Sequence, residues 1–313
     1  MRRTYETVTY GFVAPKTVTV PIGRPGTHLR DNVVMTDYAL FRADGDVLVP
    51  QDIARSLWRD DQMHGVATSG ALARGLEGAV AALGRQDLRP VRYTVDLFRA
   101  PSMSPCTVRS SVVREGRRIC LVDATLEQDG VAVARAGAIF LAPSENPPGA
   151  VWSADDAPTP PPLEVAAVSE EVRVPIFWSE ETGWSQNFGE HQNGSRKQTW
   201  QTGLPVVLGE KPSPFQAVAG IADATSMVMN WGSAGVEYIN TDITLALSRL
   251  PVSTEIGLAA RERSAHDGIA VGTAVVFDRE GPIGTSTVSS MANARRTVDF
   301  TEHDFGVEAT SGA

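Results

Sequence analysis

The sequence has few cysteines and lacks metal-binding spacings. Its 313 residues include only 2 Cys, Cys106 and Cys120, and both lie in segments that we predict to be strands. Free Cys behaves as a small apolar side chain, so two core thiols of a cytosolic protein are the simplest interpretation. The 5 His are scattered, and neither a CxxC nor an HExxH spacing occurs. The sequence therefore predicts no metal site and no cofactor.

Long apolar runs and clusters of positive charge are also missing. No apolar stretch approaches the roughly 18 residues that can cross a membrane, and the N-terminus lacks the apolar core of a secretory signal. The net charge of −9 argues against nucleic acid, because duplex binding depends on clustered Lys and Arg. A large anionic small molecule needs only a few local cations. We therefore expect a cytoplasmic protein that binds neither membrane nor nucleic acid.

Proline is concentrated in one stretch, which divides the chain. Seven prolines lie between Pro143 and Pro162, and such a run favours an extended spacer over a helix or a strand. The predicted organisation is an N-terminal arm (1–34), a first domain (35–142), a linker (143–170), a second domain (171–293) and a poorly packed polar tail (294–313).

The two domains repeat one pattern of helix and strands. The first has a helix-like stretch from Val66 to Leu83, and the second has one from Ser213 to Asn230 that opens with Ser as N-cap and Pro at the first helical position. Four strands follow each helix, at 90–99, 105–115, 117–128 and 131–141 in the first domain, and at 236–249, 253–264, 269–278 and 282–291 in the second. Asp129-Gly130 aligns with Glu280-Gly281, and we predict that each is a two-residue hairpin turn with positive φ.

Both helices are rich in Ala, Gly, Ser and Thr and have no broad polar face. A surface helix would show such a face, so we predict α+β domains in which a sheet wraps around a buried helix. Between the linker and the second helix, segment 171–203 is predicted to form a strand, a long loop and a second strand.

Several motifs resemble those of the type II acyl-CoA thioesterases. They are Trp58-Arg-Asp-Asp-Gln-Met-His-Gly65, Asp96-Leu-Phe-Arg-Ala-Pro101, Pro212-Ser-Pro-Phe-Gln-Ala-Val-Ala-Gly-Ile-Ala-Asp223 and Tyr238-Ile-Asn-Thr-Asp242. The resemblance covers roughly residues 38–142 and 195–292. It implies a double hotdog fold, two tandem hotdog domains that each wrap an antiparallel sheet around a long helix. It also implies hydrolysis of an acyl-CoA or acyl-carrier thioester, and further association into a homo-oligomer.

The same resemblance implies a water-activating set in the second domain. The family has an Asp on the helix, a Thr or Ser on the next strand and a Gln on the last strand. Asp223 matches the Asp, and it is the only carboxylate between Ser213 and Asn230. Asn240 falls on the second position, and Ser289 falls on the third, or Val288 if the register slips by one residue. In this hypothesis Asp223 is the general base, and Asn240 and Ser289 orient the water.

The expected substrate-binding residues lie at a helix start and on two strands. His64 and Gly65 precede the first helix and could contact the thioester, although a histidine there can instead satisfy backbone groups. Thr241 lies beside Asn240. Arg261 and Arg263 lie one alternation apart on a strand, so we expect them to share a face and to be available to an anionic headgroup.

Two other functions remain open. A hotdog hydratase or dehydratase shares the fold, but no Asp-x-x-x-x-His signature stands at the helix start. A non-catalytic acyl-thioester binder is favoured by the missing Gln. A covalent serine mechanism is less attractive, because the sequence has no G-x-S-x-G elbow and no His in a plausible triad order.

Overall fold

The computed structural model describes residues 38–169, 171–293 and 295–301. The predicted N-terminal arm and most of the predicted tail lie outside these residues.

Within them, the chain forms three α-helices, sixteen strands and three single 3-10 turns. The helices are α1 (Gly65–Ala82), α2 (Pro214–Ile221) and α3 (Thr225–Asn230). The 3-10 turns are Asp52–Ala54, Phe188–His191 and Ala222–Ala224. The strands are β1 (Phe41–Asp44), β2 (Val47–Pro50), β3 (Arg89–Asp96), β4 (Cys106–Glu115), β5 (Ile119–Gln128), β6 (Val131–Leu141), β7 (Ile176–Ser179), β8 (Gly183–Ser185), β9 (Lys197–Thr202), β10 (Trp231–Gly232), β11 (Gly235–Val236), β12 (Tyr238–Asn240), β13 (Asp242–Leu247), β14 (Glu255–His266), β15 (Ile269–Asp278) and β16 (Gly281–Ala292).

The two halves share one continuous antiparallel sheet. Its order is β1-β2-β4-β5-β6-β3-β13-β16-β15-β14-β9-β7-β8, and β12 pairs with the end of β16. The halves join where β3 pairs with β13, with Thr94 opposite Thr244. The helices of both halves pack together in one core cluster with the buried side chains of the sheet. The predicted α+β double hotdog is confirmed.

Small residues let the two helices lie close to the sheet and to each other. The Ser69 hydroxyl on α1 donates to the Ala219 carbonyl on α2 over 2.6 Å, and the Tyr93 hydroxyl on β3 donates to the Ser69 carbonyl over 2.8 Å. All three side chains are buried. A β-carbon at Gly75 would lie 2.5 Å from Val108, so the α1–β4 contact requires glycine at this place.

The two aligned turns differ in backbone conformation. Asp129 and Gly130 both have positive φ, of 50° and 74°, as predicted. In the aligned turn of the second half, Gly281 has a positive φ of 109° but Glu280 does not, so the prediction is wrong for Glu280. A register shift between Val276 and Phe277 alters this turn, and the buried Asp278 carboxylate accepts the Glu280 N–H over 2.9 Å. That hydrogen bond holds a turn of another geometry.

Segment 171–203 contains one strand more than predicted. Strands β7 and β8 form a hairpin, a 3-10 turn follows, and β9 pairs with both β7 and β14. These three strands extend the sheet beyond the repeated unit.

The proline-rich stretch has neither helix nor strand between Leu141 and Ile176 in the described residues. Part of it is fixed to the second half by Arg279, whose guanidinium donates to the carbonyls of Pro161, over 2.6 Å, and Ala166. The same guanidinium lies 4.6 Å from the centre of the Trp200 ring. The linker therefore follows the surface of the second domain.

The described part of the tail is packed, so the prediction of a poorly packed tail is wrong there. Val298 and Phe300 are 5% and 3% exposed and join a cluster with Phe177, Phe188 and Trp231. The Phe300 N–H also donates to the Gln192 side chain over 2.9 Å. Apolar packing and backbone hydrogen bonds between Val298 and Val236 together anchor this part of the tail.

Candidate active site

Asp223 lies where the second helix is interrupted. The 3-10 turn Ala222–Ala224 separates α2 from α3, and it directs the Asp223 carboxylate toward the start of α1 in the other half. The Asn240 side-chain amide donates to Asp223 Oδ1 over 3.0 Å, and the Val66 N–H also donates to the carboxylate. The candidate site is therefore built from both halves of the chain.

Burial sets the acidity of this carboxyl. Removing the carboxylate from water disfavours its charged form and raises the pKa of Asp223 to about 6, against the opposing hydrogen bonds from Asn240 and the Val66 N–H. A group with this pKa is largely ionised at neutral pH and can still hold a proton. Such balance suits a general base.

Gly65 is the first residue of α1 and lies against Asp223. A β-carbon at this position would lie 2.0 Å from Asp223 Oδ1, which a real structure does not tolerate. The Gly65 N–H has no hydrogen-bond partner among the described residues. Glycine therefore permits the close approach and leaves a free donor at a helix N-terminus, where the helix dipole favours negative charge.

His64 is the N-cap of α1 and is fully engaged by backbone groups. Its Nδ1 accepts from the Ala67 N–H over 3.0 Å, and its Nε2 lies 2.8 Å from the Ile53 carbonyl, to which it donates. Burial lowers the pKa of His64, so the ring is neutral. Its ring lies at the cavity wall, so a contact of the ring with substrate stays a prediction, although both ring nitrogens are bonded to backbone groups.

The structure brings Asn240 to Asp223 but places Ser289 elsewhere. On β16 the side chains of Val288 and Ser290 are buried on the helix side, where Ser290 contacts Asn230. Successive strand residues face opposite sides, so Ser289 lies on the other face of the sheet. The catalytic prediction for Ser289 is wrong. Of its two inward-facing neighbours, Val288, the alternative position, is apolar and cannot orient a water molecule, and the Ser290 hydroxyl accepts from Asn230.

Thr241 follows Asn240 and borders the cavity described below. Its hydroxyl donates to the Ser289 carbonyl over 3.2 Å, and its own carbonyl accepts the Leu97 N–H over 2.8 Å. These bonds fix the break between β12 and β13. A contact of Thr241 with substrate stays a prediction.

The two arginines on β14 do not share a face. The strand has a register shift between Ala260 and Glu262, so Arg261 is an extra residue and the alternation reverses after it. Arg261 pairs with Asp156 of the linker, whereas Arg263 donates to Asn230 on α3 over 3.2 Å. The prediction of a shared anion-binding face is wrong.

A large cavity contains the site. Its volume is about 980 Å³, and it runs along one side of the second helix from Gln216 to Met227, past Asp223. One part of its wall is an apolar cluster from several segments of the chain: Trp58, Phe177, Phe188, Val236, Val298 and Phe300. The more exposed rim includes Phe98 and Arg99.

The sequence matches two family models, one for each half. Residues 54–141 match the acyl-CoA thioesterase N-terminal domain, and residues 148–291 match the acyl-CoA thioesterase C-terminal domain. The chain belongs to the acyl-CoA thioesterase family. Thioester hydrolysis is therefore the supported reaction class, and acyl-CoA is the implied substrate class.

Solved structures similar to this thioesterase-family chain show the same fold at low sequence identity. A tesB protein from Mycobacterium avium subsp. paratuberculosis is 16% identical, with a TM-score of 0.58 over 80% of this chain and 95% of that one. An acyl-CoA thioesterase II from Mycobacterium marinum is 16% identical, with a TM-score of 0.52 over 73% and 90%. A hot dog fold protein of unknown function from Alicyclobacillus acidocaldarius is 18% identical, with a TM-score of 0.58 over 84% and 98%. A comparison with curated proteins gives no match.

This member of the thioesterase family also contains a serine–histidine pair that sequence reasoning missed. Ser179 Oγ lies 3.0 Å from His191 Nδ1, and both side chains are fully buried. Neither lines the cavity, because Phe177 and Phe188 stand at its wall beside them. The pair therefore has no access to a substrate in the cavity and does not act as its nucleophile.

Two further properties of the described residues concern ligands and membranes. They contain no group of three or more His, Cys, Asp or Glu side chains placed to hold a metal ion. None of their helices is both long and apolar enough to cross a membrane.

Proposed function

We propose that the chain hydrolyses an acyl-CoA or acyl-carrier thioester by means of a water molecule that Asp223 activates. The observation that carries this proposal is the Asp223 carboxyl, which has a raised pKa and lies in the large cavity against the start of α1. Asn240 hydrogen-bonds the carboxylate and is the second member of the site.

In the proposed reaction, a water held by Asp223 and Asn240 attacks the thioester carbonyl carbon. Asp223 takes the proton of that water as the new C–O bond forms. The carbonyl oxygen gains negative charge and accepts the free Gly65 N–H at the helix start. The C–S bond then breaks, and the proton on Asp223 passes to the departing thiolate. The products are a carboxylic acid and a free thiol.

The shape of the cavity suits such a substrate. An α-helix rises 1.5 Å per residue, so the wall from Gln216 to Met227 is roughly 16 Å long. Asp223 lies part-way along it, which leaves apolar space on both sides of the reacting carbonyl. We assign the acyl chain to the part of the cavity lined by Phe177, Phe188 and Phe300, because these side chains belong to an apolar cluster.

A non-catalytic acyl-thioester binder is the second candidate. It is favoured by one observation: Val288, the inward-facing alternative to Ser289 on β16, is apolar and cannot replace the Gln of the family's water-activating set. A binder would need the cavity but not a poised base. Release of thiol separates the two functions.

The test measures thiol release and ligand binding in parallel for acyl-CoAs of several chain lengths. Wild type should release thiol, and Asp223→Asn should bind the same acyl-CoAs but lose at least about 100-fold in kcat. The control is Asp129→Asn in the hairpin turn, where φ is 50° and Asn is well tolerated. Unchanged turnover in Asp223→Asn would remove Asp223 from the mechanism. Binding without release by wild type would favour the binder, and hydration of an enoyl-CoA would favour a hydratase.

A further inference from the structure

Arg263 connects the strand that carries Asn240 with the helix that follows Asp223. It lies on β14, just after the register shift at Arg261 that turns its side chain toward α3. The sequence predicts that it binds an anionic headgroup together with Arg261, but the two do not share a face, and the proposed mechanism gives Arg263 no role. Its contacts nevertheless reach both members of the site.

The first set of contacts leads to Asp223. Arg263 Nε donates to Asn230 Oδ1 over 3.2 Å, and Asn230 is the last residue of α3. Asn230 is 8% exposed, and α3 begins directly after the turn that holds Asp223. This contact fixes the end of the short helix that Asp223 precedes.

The second set leads to Asn240. The Arg263 guanidinium lies 5.1 Å from the centre of the Tyr238 ring, a cation–π distance. Tyr238 and Asn240 are alternate residues of the three-residue strand β12. Asn230 also donates to Ser290 Oγ over 3.1 Å, and Ser290 is the cross-strand partner of Asn240.

We propose that Arg263 is a positioning residue, which holds β12 against the end of α3 and so keeps the Asn240 amide on the Asp223 carboxylate. The inference rests on the proposed function, since it assigns a role within the same site. Strand β12 needs such support, because only three residues pair it with β16.

The consequence is a change in the pH dependence of turnover. The Asn240 hydrogen bond favours ionised Asp223, so loosening Asn240 should move the acid limb of the kcat profile to higher pH. Two other titratable groups lie near Asp223, and the Arg263 substitutions should leave the pKa of both unchanged. The pKa of Tyr93 on β3 is raised by burial and by the Asp223 charge, and the pKa of His64, beside Gly65, is lowered by burial. Arg263 contacts neither of them.

The experiment compares Arg263→Ala, Asn240→Ala and the double variant, with the pH profile and the kcat and KM values of each. We expect Arg263→Ala to lower kcat by about 5- to 20-fold, to leave KM within about 3-fold and to raise the acid limb. The double variant should resemble Asn240→Ala, because residues that act through one contact are not additive. Arg263→Lys keeps the charge near Tyr238 without the planar guanidinium, and it should recover part of the loss. It also serves if the alanine variant does not fold. The matched control is Arg109→Ala, which removes an arginine that pairs with Glu127 on the surface of the first half.

Three results would overturn the inference. They are an unmoved acid limb in both Arg263 variants, additive losses in the double variant, and a raised KM with unchanged kcat, which would mean direct binding of an anionic headgroup. A failure of the proposed function itself is recognised separately, since Asp223→Asn would then retain turnover.

Discussion

The central helices of the two halves follow one sequence pattern, but they line the candidate site with different groups. Helix α1 runs unbroken for 18 residues and presents its N-terminus. The corresponding helix of the second half is split into α2 and α3 by the turn that directs the Asp223 side chain into the cavity. The comparison teaches that a duplicated scaffold can place parts of both copies at one cavity: the first half contributes the N-terminus of α1, and the second contributes Asp223, the proposed base.

The first half has no carboxylate at the position that matches Asp223, and the start of α2 has no N–H at the position that matches Gly65. Counted from the N-caps His64 and Ser213, Arg74 holds the position of Asp223, and it pairs with Glu210. Pro214 stands where α1 has Gly65, and proline has no N–H to offer. The nearby carboxylate of Glu77 accepts from the Ser213 hydroxyl over 2.8 Å, and Ser213 in turn caps α2 by accepting the Gln216 N–H, so Glu77 supports the cap.

The largest effect should come from Gly65→Ala. The added methyl group would collide with Asp223 Oδ1, so the carboxylate must leave its position, and we expect kcat/KM to fall by at least about 100-fold. The matched control is Gly78→Ala in the same helix, where a β-carbon meets nothing within 4 Å. This control should keep its activity and gain about 0.5–1 kcal/mol of stability. Full activity in Gly65→Ala would remove the close α1–Asp223 contact from the account.

The next effect concerns stability. Folding raises the pKa of Asp223 from 3.8 to about 6, so ionising this carboxyl destabilises the folded protein. Below about pH 4 the group is protonated and the protein keeps its full stability, and this stability is lost as the pH rises through 6. Asp223→Asn avoids this cost. Urea unfolding should show the variant about 1–3 kcal/mol more stable than wild type at pH 8, with the difference vanishing near pH 4. A difference that does not depend on pH would contradict the desolvated state of the carboxyl.

The smallest effect should come from Glu77→Gln, which alters the carboxylate of the first half. The amide oxygen can still accept from Ser213, so we expect kcat/KM within about 3-fold of wild type and a loss of about 1 kcal/mol in stability. Steady-state kinetics and urea unfolding measure both quantities. A large loss of turnover in a folded Glu77→Gln protein would mean that the halves are not as different as proposed.

Most of the fold could be predicted from the sequence, because local patterns determine it. Apolar periodicity and the glycine turns predicted α1 and most of the long strands to within a few residues, as in Val131–Leu141. The strand predicted at 236–249 is instead divided into β11, β12 and β13, and the helix predicted from Ser213 to Asn230 is divided into α2 and α3. The sequence also singles out Asp223, because it matches the Asp of the family motif and a lone carboxylate on an apolar helix is costly unless it has partners; its role stays a prediction. These features are visible within a few residues of sequence.

The parts that failed depend on contacts between distant segments. One extra residue at Arg261 reverses the alternation of β14, and a strand pattern does not reveal such a bulge. The face of Ser289 depends on strand register, which a one-residue slip inverts. The packing of Phe300 requires an aromatic cluster formed by segments that are distant in the sequence, which contribute Phe177, Phe188 and Trp231. The Gly65–Asp223 approach joins the two halves and has no local signal.

The central claim, that a buried Asp223 is the base at the junction of the halves, is tested most directly by the pH dependence of wild-type kcat/KM on an acyl-CoA. The ionised form is required, so activity should fall tenfold per pH unit on the acid side, with an apparent pKa of about 6, and level off above it. A rate that stays constant down to pH 4.5, in protein shown to be folded, would contradict the account.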